Sequence, residues 1–283
     1  MNTKLHTLGS MLDNYRTVLS ERYAPSEVRA ISRMVLSDVL GWDVVQLETG
    51  KERSLDEASM SRSLDALDRL GAGEPLQYVL GHTEFLGARF HVAPGVLIPR
   101  PETEEMVHKV IEQGRRFRRI VDVGTGSGCI AISLKSAYPE AEVIGIDVSP
   151  EAMEIAQRNG VANKAEVIWR TASIVDLPLP EGCDLVISNP PYIPRSEEQD
   201  MAEHVRAHEP SMALFVDDDD PLFFYRIIAE KALVALVPSG QLWFEGHYRT
   251  ASAVGELLES MGYSTVRVST DLSGHQRFIN ATR

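Results

Sequence analysis

From Arg119 onward the chain alternates short apolar runs with helical patterns, and this alternation restricts the fold more than any other feature. "RIVDVG" precedes the helical pattern "CIAISLKSAYP", "EVIGID" precedes "PEAMEIAQRNG", and "AEVIWRT" is followed by "CDLVIS". After a long connection come the helical run "PLFFYRIIAEKALVALV", the strand "GQLWFEG", the helix "TASAVGELLESMG" and two last strands, "STVRVS" and "RFINAT". Apolar strands alternating with helices pack as a doubly wound, mostly parallel α/β sheet. No helix separates the last two strands, so an antiparallel hairpin is expected at one end of that sheet.

The first part of the chain has a different texture, and residues 10 to about 72 read as helices. "PSEVRAISRMVLSDVLGW" opens with Pro25 in a first helical turn and places Val28, Ile31, Val35 and Val39 on one face, with Gly41 as the stop. "SLDEASMSRSLDALDRLGAG" repeats the plan, with Ser54 as the expected N-cap, Glu57 three residues on, and Gly71 after the end. "TEFLGARFHV" then reads as a hairpin about Gly87, followed by a proline-marked connection. The expected division is a helical domain over 1–73, a linker with a β-hairpin over 74–100, and the α/β domain over 101–283.

Charge narrows the partners. The 283 residues carry a net charge of −13, and positions 1–75 hold 9 basic and 12 acidic side chains. Neutralising nucleic-acid phosphates takes clustered Lys and Arg, so no direct nucleic-acid partner is expected and a small molecule or a protein is favoured. No apolar run approaches the ~18 residues of a membrane span, and the N-terminal stretch lacks the apolar core of a signal peptide. The two cysteines, Cys129 and Cys183, are far apart, which gives neither a disulfide framework nor a metal site and fits a cytoplasmic protein.

Two stretches carry chemistry. "VDVGTGSG" ends the first strand of the alternating region with Gly124, Thr125, Gly126, Ser127 and Gly128. Glycines there allow positive φ and close approach of a ligand to the backbone at a helix N-terminus. Taken alone, the loop fits a nucleotide-like ligand or a plain tight turn. A dinucleotide fingerprint would need its third glycine at position 129, which is Cys129, and a P-loop would need a lysine that is absent. Asp147 closes the second strand, where a carboxylate can accept both ribose hydroxyls of an adenosine. Its competing role, N-cap of the next helix, is better filled by Ser149 before Pro150. This pairing suits S-adenosylmethionine, which has no phosphate and would leave as S-adenosylhomocysteine.

The second stretch is Asn189-Pro190-Pro191-Tyr192, after the strand "DLVIS". Two prolines end any strand, and Asn189, preceding one, is held extended. The Asn189 side-chain oxygen and the Pro190 carbonyl together can accept both hydrogens of a planar –NH2, and Tyr192 can stack on the flat group. Such a clamp suits a conjugated nitrogen, either a carboxamide or an adenine amine. Positioning and electrostatics then supply the reactivity that delocalisation removes from that nitrogen. The competing reading of the stretch is a rigid proline turn.

"VGTGSG", "GID", "NPPYI", "EPLQYVLGHTEFLG" and "LIPRPETEEMV" together make this sequence resemble the HemK/PrmC release-factor glutamine methyltransferases from about Glu74 to the C-terminus. The resemblance implies a Rossmann-like S-adenosylmethionine-dependent methyltransferase sheet behind a small helical N-terminal domain. It implies methyl transfer to the side-chain nitrogen of the glutamine in the Gly-Gly-Gln motif of peptide chain release factors. Asn189, Pro190 and Tyr192 would be catalytic, and Asn189 to Tyr192 would bind the glutamine. Gly124 to Gly128, Asp147 and Asn189 would bind cofactor. After the third strand this family usually carries an acidic residue and then a bulky one beside adenine. Here Ala172, Ser173 and Ile174 stand in that segment, so Ser173 and Ile174 become the adenine wall and the acidic acceptor is missing or moved to Asp176. The runner-up is a nucleic-acid adenine methyltransferase, which shares "NPPY" but needs a target-recognition region for which no sequence is left over.

Four smaller features complete the reading. Glu209-Pro210 in the long connection either shapes the substrate pocket or only orders the loop. Asp217 to Asp220 reads as a solvated run capping a helix at Pro221. His204, His208, His247 and His275 have no spacing that demands a metal. Trp243 and Phe244 read as core.

Overall fold

The computed structural model describes residues 7–283, so the first six positions of the N-terminal stretch considered above lie outside it. The chain divides into two compact units: Met1–Gly81 with Glu203–His208, and His82–Ala202 with Glu209–Arg283.

The first unit is helical: α1 (Leu8–Leu19), α2 (Pro25–Leu40), α3 (Val44–Thr49), α4 (Glu57–Gly71) and α5 (Leu76–Leu80). Its core joins Leu8, Met11, Tyr15 and Leu19 of α1 to Val28, Ile31, Val35 and Leu36 of α2 and Leu67 and Leu70 of α4. The predicted face of α2 is the buried one, with Val39 at its half-buried edge, and Gly41 ends the helix at φ 66°. Tyr15 keeps its buried hydroxyl paired by donating to the Ser63 carbonyl at 2.7 Å.

Two expectations fail in this unit. The N-cap of α4 is Asp56, not Ser54: the Asp56 carboxylate accepts from Ser59 N at 2.8 Å, while Ser54 is drawn into an extended bridge with Thr7. Gly71 is the last helical residue rather than the stop, and the left-handed position falls at Gly73, φ 91°. The compact unit also runs on through α5 to Gly81.

The second unit opens with the hairpin β1 (His82–Phe85) and β2 (Ala88–His91), turned at Leu86-Gly87. Then follow α6 (Pro101–Glu112), β3 (Arg119–Val123), α7 (Cys129–Ala137), β4 (Glu142–Asp147), α8 (Pro150–Ala162), β5 (Ile168–Thr171) and β6 (Cys183–Ser188). The long connection contains β7 (Ile193–Pro194), a 3-10 turn (Arg195–Asp200), α9 (Glu203–His208), which counts with the first unit, α10 (Ser211–Leu214) and β8 (Phe215–Val216). The chain closes with α11 (Phe223–Ala235), β9 (Leu236–Glu245), α12 (Ala251–Ser260), β10 (Ser264–Thr270) and β11 (Gln276–Thr282).

Seven strands form one sheet in the order β10-β11-β9-β6-β3-β4-β5. From β5 to β9 neighbours are parallel, and β11 runs antiparallel to both β9 and β10, giving the expected terminal hairpin. Side chains alternate between two cores. Val121, Val123, Ile144, Ile146, Val186, Leu242 and Phe244 face α11 and α12. Ile120, Val143, Leu185, Ile187 and Trp243 face α6 and α7. Both Trp243 and Phe244 are core, as expected.

The helical run before β9 is shorter than its apolar pattern suggests, because Leu236 already pairs with Cys183 of β6. The acidic run does not cap α11 through its side chains. Asp218 instead accepts from Ser196 N and Oγ, at 3.0 and 2.8 Å, and Asp220 pairs with Arg226. Among the described residues no helix is long and apolar enough to cross a membrane.

Trp169 of β5 explains several of the glycines. Its ring lies where side chains at Gly128, Gly145 and Gly160 would go, and a Cβ at Gly145 would sit 2.5 Å from the indole. Replacing Gly145 by Ala therefore forces the ring or Thr125 to move. The expected cost is about 1–3 kcal/mol, read as a lower urea midpoint with an unchanged slope.

Candidate active site

Parallel pairing sets the geometry of the site. Val123 lies level with Ile146 on one side and Ser188 on the other, so the next residues out of each strand are Gly124, Asp147 and Asn189. Sheet order turns outward in both directions from β3 and β6, the place where such sheets bind ligands beyond their carboxyl ends.

The glycine loop is held from below. Gly124 N and Thr125 N both donate to the Ile146 carbonyl, at 2.8 and 3.0 Å, and Gly124, Gly126 and Gly128 all have positive φ. Asp147 accepts from Gly126 N through Oδ2 at 2.8 Å and from Ser149 N through Oδ1 at 3.0 Å. A carboxylate oxygen has two lone pairs, so each oxygen keeps one for a ligand hydroxyl. Burial raises the Asp147 carboxyl, against the pull of these N–H groups. Ser149 caps α8 by accepting from Ala152 N.

A cavity of about 440 Å³ opens over this row, lined by Gly124, Gly126, Asp147, Ser173, Ile174, Asn189, Pro190 and Pro191 among others. Its volume suits a nucleoside-sized ligand. Among the described residues that line it are two carboxylates, Asp147 and Glu151, and no Lys, Arg or His. That donor set fits S-adenosylmethionine, which offers ribose hydroxyls and a positive sulfur and has no phosphate to neutralise. Asp176 does not line the cavity, and Ser173 Oγ accepts from Val175 N at 3.1 Å.

The remaining loop residues lie behind the cavity wall. Thr125 donates its hydroxyl to Asp122 Oδ2 at 2.5 Å, and the Ser127 carbonyl accepts from Asn159 Nδ2 at 2.9 Å. Asn159 also binds the main chain of His91 through both ends of its amide, which ties β2 to the loop. Gly128 is the N-cap of α7, and a Cβ there would lie 3.0 Å from the Trp169 ring and 3.1 Å from Ile132. Asp122 is fully buried with Oδ1 unpartnered, and that burial pushes its carboxyl up to about 7.

On the other side of the row is a set of contacts that the sequence did not disclose. Asn189 Nδ2 donates to Thr103 Oγ1 at 3.1 Å, and Thr103 Oγ1 donates to Glu245 Oε2 at 2.6 Å. Tyr192 does not line the cavity; its hydroxyl donates to Glu245 Oε1 at 3.2 Å, and its ring lies 6.0 Å from that of His247. Nearby, Glu209 is buried and accepts from Ile98 N at 3.1 Å and from Arg100 at 2.6 Å, while Pro210 lines the cavity. The available signals were the "LIPRPETE" block, which supplies Ile98, Arg100 and Thr103, and a lone acidic residue ending the apolar strand "GQLWFEG".

Comparison with known proteins decides the family. Residues 10–81 match the PrmC N-terminal domain, and residues 103–210 the Methyltransferase small domain. A release factor glutamine methyltransferase of Bacteroides thetaiotaomicron is 40% identical over 270 residues, covering 95% of this chain and 97% of that one. One of the same description from Flavobacterium psychrophilum is 36% identical, covering 95% and 98%. The chain belongs to the release factor glutamine methyltransferase family. It is a methyltransferase with S-adenosylmethionine as the methyl donor. Solved structures share the fold. A methyltransferase of Pyrococcus furiosus aligns with TM-score 0.52 at 17% identity, over 70% of this chain and 89% of that one. A T. thermophilus 16S rRNA methyltransferase in complex with AdoMet and guanosine aligns with TM-score 0.51 at 19% identity, over 71% and 49%.

Asp147→Ala is expected to weaken S-adenosylhomocysteine binding by roughly 1.5–3 kcal/mol, the worth of hydrogen bonds to a charged group. Titration calorimetry reads the loss directly, and an unchanged affinity would mean that the ribose is held elsewhere.

Proposed function

We propose that the chain methylates the side-chain nitrogen of the glutamine in the Gly-Gly-Gln motif of peptide chain release factors, in the cytoplasm. The observation that carries this reading is that Asn189 and Pro190 line the cavity level with Gly124 and Asp147. A group clamped by Asn189 and Pro190 is thereby next to a ligand bound over the glycine loop.

In this reading Gly124, Gly126 and Asp147 bind the cofactor's adenosine, with Ser173 and Ile174 along the adenine. Thr125, Ser127 and Gly128 keep the loop in shape. Asn189 Oδ1 and the Pro190 carbonyl accept the two hydrogens of the glutamine –NH2, Pro191 walls the group in, and Tyr192 stands behind them, bonded to Glu245. When bound, S-adenosylmethionine supplies a methyl on a positively charged sulfur that departs as a neutral thioether. The clamp's two acceptors pull on the two hydrogens and push N–H bonding density back onto the nitrogen, which makes its lone pair available for the new N–C bond. Positive charge then arises on the nitrogen between these acceptors, where it is stabilised, and the N–H proton leaves to water. The curated relatives, named for release factor glutamine and not for nucleic acid, support this substrate over an adenine amine, as does the net charge of −13.

Asn189→Ala is expected to leave cofactor affinity nearly intact and to lower turnover by on the order of 10²–10³, as removal of a preorganised hydrogen-bonding group does. Labelled-methyl transfer to purified release factor, with bulk RNA and DNA as parallel acceptors, measures it. A variant as active as the parent would sink the clamp.

The helical unit supplies substrate recognition in this reading. A Gly-Gly-Gln loop offers little surface, and choosing it over other glutamines takes a second contact on the folded partner. A chain lacking residues 1–81, shown by circular dichroism to be folded, is expected to bind S-adenosylhomocysteine normally. On intact release factor its KM should rise far more than its kcat falls. Full kcat/KM without the helices would make them a stabilising cap instead.

A further inference from the structure

A hydroxyl has one proton, and Thr103 spends it on Glu245 at 2.6 Å. What Thr103 has left for Asn189, 3.1 Å away, is a lone pair. Asn189 must therefore turn its –NH2 toward Thr103, and Oδ1 becomes the free end of the amide. Glu245 accepts at both oxygens, from Thr103 and from Tyr192. Only a carboxylate can do this, because an amide in its place would have to donate at one end.

We propose that Glu245 is a positioning residue for methyl transfer: acting through the Thr103 hydroxyl, its buried carboxylate fixes the Asn189 amide so that Oδ1 is presented to the substrate nitrogen. This rests on the reading of Asn189 as the substrate clamp. A charge buried at the end of β9 is costly unless it is fully hydrogen-bonded, and a one-way relay is what the charge provides here.

The relay has a direction only while Glu245 is ionised. Burial pushes its carboxyl up to about 7; the Thr103 hydrogen bond, the Arg277 charge and the Tyr192 hydrogen bond work against this, and Glu102 adds to it. Of the other titratable groups facing it, Tyr192, Tyr225 and Cys129 are raised by burial and His247 is lowered by it, so all four stay neutral near pH 7. Arg277 stays charged, held by Asp271 at 3.2 Å. Protonated Glu245 must donate from one oxygen, and the orientation of Asn189 is then no longer forced. Turnover therefore falls as pH drops through about 7.

The test compares the full-length protein with Glu245→Gln, Thr103→Val, Thr103→Ser and the Thr103→Val/Glu245→Gln double variant. Glu245→Gln and Thr103→Val should each lower kcat by about 10- to 100-fold, less than deleting the Asn189 amide itself. S-adenosylhomocysteine affinity should stay within about two-fold, as neither side chain lines the cavity. Thr103→Ser restores the hydroxyl and should recover most of the turnover. The double variant should be no slower than its slower parent, because both changes break one relay. The acid limb near pH 7 should vanish in Glu245→Gln. Multiplying losses in the double variant, or wild-type kcat and pH profile in Glu245→Gln, would overturn the proposal. A readout without turnover separates this from the substrate assignment. In protein labelled with 15N-asparagine, the Asn189 –NH2 protons, identified by their loss in Asn189→Ala, should be slow to exchange in the parent and fast in Thr103→Val. If the parent methylates no release factor, the substrate assignment fails while this measurement still decides the relay. Equal exchange in both proteins defeats the relay itself.

Discussion

Parallel pairing of β3 with a neighbour on each side is the constraint from which the site follows. In parallel strands every chain leaves the sheet in the same direction, so residues that close β3, β4 and β6 emerge at one edge. The observed register makes this a row of Gly124, Asp147 and Asn189. A glycine is needed at the first position because the chain turns there with φ 73° while its N–H bonds back to Ile146. A carboxylate suits the second because two N–H groups, of Gly126 and Ser149, converge on it. The third ends its strand because two prolines follow.

The entry to α6 and its first turns brace that row from the side. Ile98 and Arg100 hold Glu209, Thr103 holds Asn189 and Glu245, Glu104 accepts from Leu86 N at the hairpin tip, and Glu105 accepts from Leu272 N before β11. Eight residues, from Ile98 to Glu105, thus reach five distant parts of the second unit. The Arg100–Glu209 pair buries the carboxylate completely. Such a pair adds little net stability over apolar packing, yet losing one partner leaves a charge stranded in the interior. Its contribution is therefore to position: it ties the residues ahead of Thr103 to the loop that brings Pro210 to the cavity.

How much of this could be read beforehand depends on the range of the interaction. Strand and helix periods are local, and they gave the sheet, its terminal hairpin and the alternation of Trp243 with Phe244. Caps are local but competitive. Ser54 and Asp56 both suit an N-cap, and a bridge from Ser54 to Thr7, 47 positions back in the sequence, decided between them. The polar relay was not legible. Thr103 and Glu245 are 142 positions apart and Asn189 and Thr103 are 86 apart, and a lone acid ending an apolar strand does not name the partners it will find. Tyr192 shows the same limit: its ring was assigned to the substrate from its motif alone, whereas its hydroxyl is committed to Glu245.

The buried acids also bear on why the reaction is run without a strong base. Around the row are Asp122, Asp147 and Glu245, each raised by burial, and no basic side chain lines the cavity among the described residues. Methyl transfer to an amide carries positive charge from sulfur to nitrogen, and a cationic wall would oppose it at both ends. A surround of carboxylates and carbonyl oxygens favours the charge wherever it stands along that path. The gain is largest where the field is fixed before the reaction begins, because no reorganisation is then needed. Glu245 meets that condition through Thr103, and Asp147 through the two backbone N–H groups that hold it. Once methylated and positive, the nitrogen is acidic enough to lose its proton to water. In this site the work of a base is done by orientation.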